Sequence, residues 1–245
     1  MKKSLFSLVM LLLGLAALSA SAETRTLTIK QPFSELDASA GVKIIYQPSN
    51  ASPATVKITG DADRVANLDV RVSGKTLKIS PKRDAMGNRQ GSRIKGVVVT
   101  LNAPMLNSID VSSGASVTCN ATMSLPNGKL DLEASSGADI KLAAVNCRSL
   151  EAESSSGADI IVMNIKADKT EAEASSGASI NFISLSTQTI DCEVSSGASI
   201  KLAGNSTKGT FDASSGGAIK GSSLTVRTSK IKKSSGGSVR VNTKE

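Results

Sequence analysis

The chain of 245 residues contains no histidine and no tryptophan, and its aromatic residues are one tyrosine and four phenylalanines. Without histidine, neither a Ser-His-Asp triad nor a Cys-His pair can form, and no metal can be bound through imidazole. Without tryptophan, the aromatic platforms on which many carbohydrate-active enzymes stack sugar rings are also missing. The composition therefore disfavours several hydrolase classes and predicts a narrow, aliphatic core.

Only one long hydrophobic run occurs, and it lies at the N-terminus. Lys2 and Lys3 precede an apolar stretch from residue 5 to residue 18, and Ala20-Ser21-Ala22 is an A-x-A cleavage site. This is the pattern of a secretory signal peptide, which is too short to span a membrane. The sequence therefore predicts export, with cleavage at Ala22 and residence in the periplasm or at the cell surface.

Charge in the exported part of the chain is modest. The formal net charge of the whole chain is +8, and removal of Lys2 and Lys3 with the signal peptide lowers it to +6. We expect no transmembrane segment in residues 23–245, and export disfavours a nucleic acid partner. A weakly basic surface is compatible with acidic glycans or anionic lipid surfaces.

The tripeptide Ser-Ser-Gly recurs seven times in the second half of the chain. Self-similarity at a period near 20 residues is typical of a solenoid in which each repeat forms one stacked rung. The glycines of the seven repeats are Gly114, Gly137, Gly157, Gly177, Gly197, Gly216 and Gly236.

Alignment of the rungs on this glycine gives columns of apolar residues. The position three after the glycine holds isoleucine or valine in every rung, and the positions five after and five before it are also mostly apolar. This alternation is the signature of half-buried strands. We expect the first column to face inward throughout: Val117, Ile140, Ile160, Ile180, Ile200, Ile219 and Val239.

A period of about 20 residues leaves room for two strands of about five residues and two bends, but not for a helical crossover. The glycine fits a corner because it adopts positive φ without steric cost. The predicted fold is therefore all-β, a parallel β-helix of 20-residue rungs, with residues 23–245 as one elongated domain. Its regular rungs span residues 108–245.

Cysteine is scarce. Cys119 and Cys192 fall in inward columns three rungs apart, which is too far for a disulfide bond. We expect these two residues and Cys147 to be buried thiols that pack as small hydrophobic side chains.

Residues 23–107 lack Ser-Ser-Gly but also alternate like strands, and Val72–Thr76 has the sequence of a hairpin turn. This part should form wider coils or a β-layer that caps the first rung, since solenoid ends need covering. Between Pro81 and Gly96 a polar loop follows, which is either a solvated loop or an anion-binding patch. It carries Asp84 together with five cations: Lys82, Arg83, Arg89, Arg93 and Lys95.

Two outward columns are acidic. The position six before the glycine holds Asp131, Glu151, Glu171 and Asp191, and the position four before it holds Glu133, Glu153, Glu173, Glu193 and Asp212. Stacking would place like charges about 4.8 Å apart. The columns are either a surface for divalent cations or a cationic partner, or a solvated face neutralised by lysines such as Lys141 and Lys201.

The segment Phe33–Tyr46, followed by Leu68–Ile79, Val97–Val117 and the Ser-Ser-Gly-Ala rungs, resembles the head GIN domain of auto-transporter adhesins, a family of exported bacterial proteins. The resemblance covers most of residues 33–215 and is expected to run to the end of the chain. It implies a right-handed, single-stranded β-helix-like fold. It implies no catalytic, cofactor-binding or metal-binding residue.

The function expected is therefore non-enzymatic: an adhesin-like or structural module of the bacterial cell envelope, monomeric and without cofactor. Its partner would be a surface glycan or an envelope protein. The alternative is a carbohydrate-active β-helix enzyme of the pectinase type, which also uses rungs of about 20 residues, or a glycan-binding module.

Overall fold

The computed structural model describes residues 22–50, 52–83, 86–87 and 94–244. The signal peptide predicted for residues 1–22 lies outside this part, except for Ala22. The described residues form fifteen β-strands in one hydrogen-bonded sheet and one short α-helix. Their bounds are β1 Ala22–Ile29, β2 Glu35–Ser39, β3 Lys43–Pro48, β4 Ala54–Asp61, α1 Ala62–Ala66, β5 Leu68–Ser73, β6 Thr76–Pro81, β7 Val98–Ala103, β8 Ser108–Ser112, β9 Ser116–Ala134, β10 Asp139–Ser154, β11 Asp159–Ala174, β12 Ser179–Val194, β13 Ser199–Ala213, β14 Ala218–Lys233 and β15 Ser238–Thr243.

The regular part of the chain is a parallel β-solenoid, as the sequence predicts. Strands β9 to β15 pair in parallel, and equivalent residues of successive rungs lie opposite each other, as in the pairing of Ile140 with Ile160. The column three residues after the glycine is buried in all seven rungs. The last rungs depart from the pattern, since Ile231 is 41% exposed.

Each rung has three sides rather than the two strands and two bends that the sequence predicts. In β11 the burial alternates, but Met163 and Asn164 both face outward, and so do Asp168 and Lys169. Two adjacent outward residues reverse the parity of the strand, which bends the chain around the core. Side A follows the glycine corner (159–162 in this rung), side B comes next (165–167), and side C leads to the following corner (170–174).

The Ser-Ser-Gly corner is a tight turn with two left-handed residues. In one rung the φ angles are 53° at Ser156 and 72° at Gly157. The amide of Ala158 donates to the carbonyl of Ser155 across the turn (3.2 Å), and the amide of Gly157 donates to the carbonyl of Ser176 in the next rung (3.2 Å). Both central angles are positive, as in a type I′ turn. The sequence predicts the glycine but not the left-handed serine before it.

The N-terminal third forms two further rungs and a layer of antiparallel strands that caps them. Strands β2 and β3 form a rung that pairs in parallel with β8 and β9, and they are joined by a corner at Ala40 and Gly41 with positive φ angles. Strands β6 and β7 form a further rung on the other side of β2 and β3. Antiparallel strands β1, β4 and β5 then cover this end. The predicted hairpin at Val72–Thr76 is present between β5 and β6.

The buried side chains form one cluster that runs from Phe33 to Val239. All three cysteines are free and buried, which confirms that they pack as small hydrophobic residues. Burial raises the pKa of the Cys147 thiol to about 11 and also raises the pKa of the other two. At neutral pH the three thiols are therefore protonated, which suppresses thiolate chemistry.

Candidate functional site

Side C carries the predicted acidic columns. Column one consists of Asp131, Glu151, Glu171 and Asp191, and column two contains Glu133, Glu153, Glu173, Glu193 and Asp212; within each column the successive residues pair in register. Parallel pairing holds them at the strand spacing of about 4.8 Å. All nine carboxylates predicted from the sequence thus lie together on one side of the solenoid.

Column two is longer than the sequence analysis predicts. Asp110 pairs with Glu133, and Asp37 pairs with Asp110, so seven carboxylates stand in line. A lysine closes each end, with Lys78 Nζ 3.0 Å from Asp37 Oδ2 and Lys232 Nζ 3.5 Å from Asp212 Oδ2. The signal was available, because Asp110 stands four residues before Gly114 and Asp37 four residues before the glycine of the Ser-Ala-Gly corner.

Lysines at the bend between sides B and C neutralise part of column one. Lys129 Nζ lies 2.8 Å from Asp131 Oδ1 and 2.5 Å from Glu151 Oε2, and Lys169 Nζ lies 2.6 Å from Glu171 Oε1. The hydrogen bond from Lys129 lowers the pKa of Glu151. Lysine side chains therefore pair with three of the four carboxylates of column one.

Lys141 and Lys201, which were expected to neutralise the acidic columns, do not lie beside them. Lys141 instead approaches Asp139 on side A, with 3.9 Å between Nζ and Oδ1. Lys201 occupies the equivalent side A position three rungs further along, in β13. The prediction that these two residues neutralise the acidic columns is wrong, because their positions in the rung direct them to a different side.

Burial and repulsion act together on two carboxylates of column two. Partial burial, a hydrogen bond with Glu151 and the charges of Glu133 and Glu173 raise the pKa of Glu153. Burial and the charges of Asp37 and Glu133 raise the pKa of Asp110. Column two is thus a strip of strong negative potential whose charges are compensated mainly at its two ends.

The surface between the columns is a shallow depression of about 160 Å³. It is lined by the side chains of Glu151, Glu153, Glu171, Glu173, Asp191 and Glu193. A glycosidase needs two carboxyl groups that flank the scissile bond from opposite sides. Here all the carboxylates project from one side of the solenoid, so none faces another across a cleft and the arrangement provides a flat electrostatic surface.

No group of three or more histidine, cysteine, aspartate or glutamate side chains in the described part of the chain is placed to hold a metal ion. The columns space their carboxylates along a line, whereas calcium requires six to eight oxygen ligands around one point. Nothing in the geometry of side C therefore favours a closed metal cage.

The predicted cationic loop is described only in part, because Asp84, Arg89 and Arg93 lie outside the described residues. Arg83 donates from Nη1 to the carbonyl of Gly87 at 2.8 Å and so holds the loop. Whether the loop binds anions stays a prediction.

These features define the class of protein: a β-solenoid of three-sided rungs, covered at its N-terminal end by antiparallel strands. The chain belongs to the family described as "putative auto-transporter adhesin, head GIN domain", which matches residues 32–182 and 153–245. The resemblance predicted from the sequence is confirmed. No curated protein matches the chain.

Solved structures share this fold. A putative adhesin from Bacteroides fragilis is 18% identical, with a TM-score of 0.67, 92% of this chain covered and 95% of that chain covered. A putative adhesin from Parabacteroides merdae has the same identity and TM-score, with 93% and 98% covered. A putative lipid binding protein from Parabacteroides distasonis is 17% identical, with a TM-score of 0.67 and coverage of 93% and 98%. In the described residues, no helix is long and apolar enough to cross a membrane.

Proposed function

We propose that the chain is an exported, non-enzymatic β-solenoid that serves as an adhesin-like module of the bacterial cell envelope. Its family and its N-terminal sequence support export. Cleavage after Ala22 would leave Glu23 as the first residue, within β1. The mature chain would then reside in the periplasm or at the cell surface as a monomer.

The observation that carries this proposal is the register of the acidic columns on side C, where β9 to β13 pair without a shift. On side C, carboxylate groups recur at a repeat of about 4.8 Å, as column two shows over seven residues. A periodic, flat surface suits a partner that is itself extended or repetitive, because many weak contacts then act together. Adhesion to a polymer or to another cell requires this kind of multivalent contact.

The enzymatic alternative, a pectinase-like carbohydrate-active protein, has weaker support. The acidic groups of side C do not converge on a cleft, and the chain has neither histidine nor tryptophan. Glycan binding without cleavage is compatible with the same geometry and forms part of the proposed adhesin-like role.

The proposal is tested in the bacterium that produces the protein. Mass spectrometry of the mature chain should give Glu23 at its N-terminus, and protease treatment of intact cells should degrade it if it is displayed on the surface. Deletion of the gene should reduce adhesion of the cells to glycan-coated surfaces or to each other. Recovery of the chain from the cytoplasm with Met1 still present would refute the proposal.

A further inference from the structure

Charge is segregated along the solenoid. Residues 131–200 contain eleven acidic and four basic residues, whereas residues 201–245 contain nine basic and two acidic residues. The acidic columns of side C therefore lie next to a strongly basic region formed by the last rungs. The acidic columns would repel an anionic partner, and the basic last rungs would attract it.

A groove on side B of the last rungs concentrates this positive charge. Its volume is about 610 Å³, and every side chain that lines it is polar or charged. Ser186, Asn205 and Thr225 occupy the same outward position in three successive rungs. Thr207, Arg227 and Lys244 complete the outer wall.

The floor of the groove is built by hydroxyl groups that already have partners. Ser206 donates from Oγ to the carbonyl of Lys208 at 2.8 Å, and Thr187 Oγ1 lies 3.0 Å from the carbonyl of Thr189. Both hydroxyls are buried, and their hydrogen bonds satisfy backbone carbonyls at the bend between sides B and C. They fix the shape of the groove and leave the outer side chains to face a ligand.

The two cations of the groove are not neutralised within the described part of the chain. Lys129, Lys169 and Lys232 each pair with a carboxylate of side C, but Arg227 and Lys244 have no ion pair there. Asp168, which lies at the bend between sides B and C of an earlier rung, accepts a hydrogen bond from Gln188 at 3.1 Å. Two cations without an ion pair among the described residues, beside exposed hydroxyl and amide groups, are suited to a ligand that carries both acid groups and hydroxyls.

We propose that this groove binds an anionic polysaccharide. Arg227 and Lys244 contact its carboxylate, sulfate or phosphate groups, and Asn205, Thr207 and Thr225 form hydrogen bonds with sugar hydroxyls. This assignment rests on the proposed adhesin-like function and names its ligand class. A membrane surface fits less well, because the groove has no apolar side chain to insert, and the exposed Met163 and Ile183 lie at another bend.

The test is binding of the mature chain, residues 23–245, to immobilised polygalacturonate, dextran sulfate and unsubstituted dextran. We expect binding to the two anionic polymers that weakens as salt rises, and no binding to dextran. The double variant Arg227→Gln/Lys244→Gln should lower the affinity about tenfold or more, because two charge-assisted contacts are removed. The proposal is overturned if neither anionic polymer binds.

A matched control removes the same charge elsewhere. Lys57 and Lys75 are exposed in the N-terminal layer, so Lys57→Gln/Lys75→Gln should change the affinity by less than about twofold. Equal losses in both double variants would mean that net charge alone drives binding and would refute a specific groove. Circular dichroism verifies that the variants fold.

Thr225→Val tests the contacts to sugar hydroxyls, because it keeps the shape and the charge of the groove. It should weaken binding to polygalacturonate by about threefold, as expected for one lost hydrogen bond. An unchanged affinity would contradict the assigned contact.

Binding to vesicles of phosphatidylcholine with and without phosphatidylglycerol tests an anionic membrane surface as the alternative ligand. Binding to the anionic vesicles that depends on Arg227, without binding to polygalacturonate, would replace the glycan by a lipid surface and refute the proposal. If no anionic polymer binds but the protein is displayed on the surface and supports adhesion of the cells, the groove proposal alone is refuted. A cytoplasmic protein with an active groove would instead refute the proposed function alone.

Discussion

Substitution of a corner glycine gives a sharp test of the stacked turns. Gly157 has a φ of 72°, and a Cβ added there would meet no atom within 4 Å. Any loss of stability therefore arises from backbone conformation and not from collision. A side chain in the left-handed region costs about 1–2 kcal/mol, and a β-branched one about 1–3 kcal/mol.

We therefore expect Gly157→Ala to lower the free energy of unfolding moderately and Gly157→Val to lower it more. For a chain of this size, each kcal/mol corresponds to about 2–4 °C in Tm. The matched control is Ser156→Gly, because Ser156 already has a φ of 53°. Its side chain bears the same left-handed cost, so this change should leave Tm unchanged or raise it.

Thermal and urea denaturation followed by circular dichroism measure both effects. A Tm for Gly157→Val equal to that of the unsubstituted protein would refute the corner geometry. A large loss in Ser156→Gly would show that the serine side chain, and not the backbone, holds the turn.

Three further predictions concern the acidic side and the last rungs. Glu153→Gln/Glu173→Gln should leave the free energy of unfolding unchanged or slightly raised at low salt, because repulsion between like charges is relieved. Millimolar calcium should hardly shift the Tm of the unsubstituted protein. A calcium-dependent rise of several degrees that the double variant abolishes would instead establish a cation site. Because the pKa of Glu153 is raised, the folded state binds its proton more readily than the unfolded state. Stability should therefore rise as pH falls from neutral through that pKa, and Glu153→Gln should flatten the rise in urea midpoints; a rise of the same size in both proteins would contradict the assignment. Gly217→Ala should lower Tm, since its Cβ would lie 2.8 Å from the carbonyl carbon of Val194; an unchanged Tm would show that this corner is not crowded.

The regular rungs could be predicted because parallel stacking places equivalent positions on top of each other. A column such as Ile140, Ile160, Ile180 and Ile200 needs only a constant period to be recognised, and all four are fully buried. The number of sides was harder to predict. The bends at Met163–Asn164 and Asp168–Lys169 consist of ordinary polar or apolar residues without glycine or proline, so the local sequence does not mark them.

The order of the N-terminal rungs could not be predicted from local patterns. Strands β2 and β3 precede β6 and β7 in the chain but lie between them and β8 and β9 in the solenoid. Alternation shows which residues face inward but does not specify which distant strand is the partner. The left-handed serine of each corner was missed for a similar reason, since glycine alone is the usual signal for positive φ.

Of the two candidate surfaces, the acidic columns could be predicted from the sequence and the basic groove could not. The acidic columns follow from the period, although Asp37 and Asp110 were overlooked. The basic groove was not predicted, because Ser186, Asn205 and Thr225 come from three rungs and read singly as ordinary strand residues. Only the register of β12, β13 and β14 brings them together with Arg227.

The central claim is that the solenoid binds an extended partner and does not transform it. The most direct measurement exposes a polysaccharide array to the mature protein and analyses each bound polymer for cleavage products by mass spectrometry. The account predicts retention on anionic polysaccharides with the chain length of the polymer unchanged. Release of oligosaccharides, whether by hydrolysis or by elimination, would contradict it and establish the enzymatic alternative.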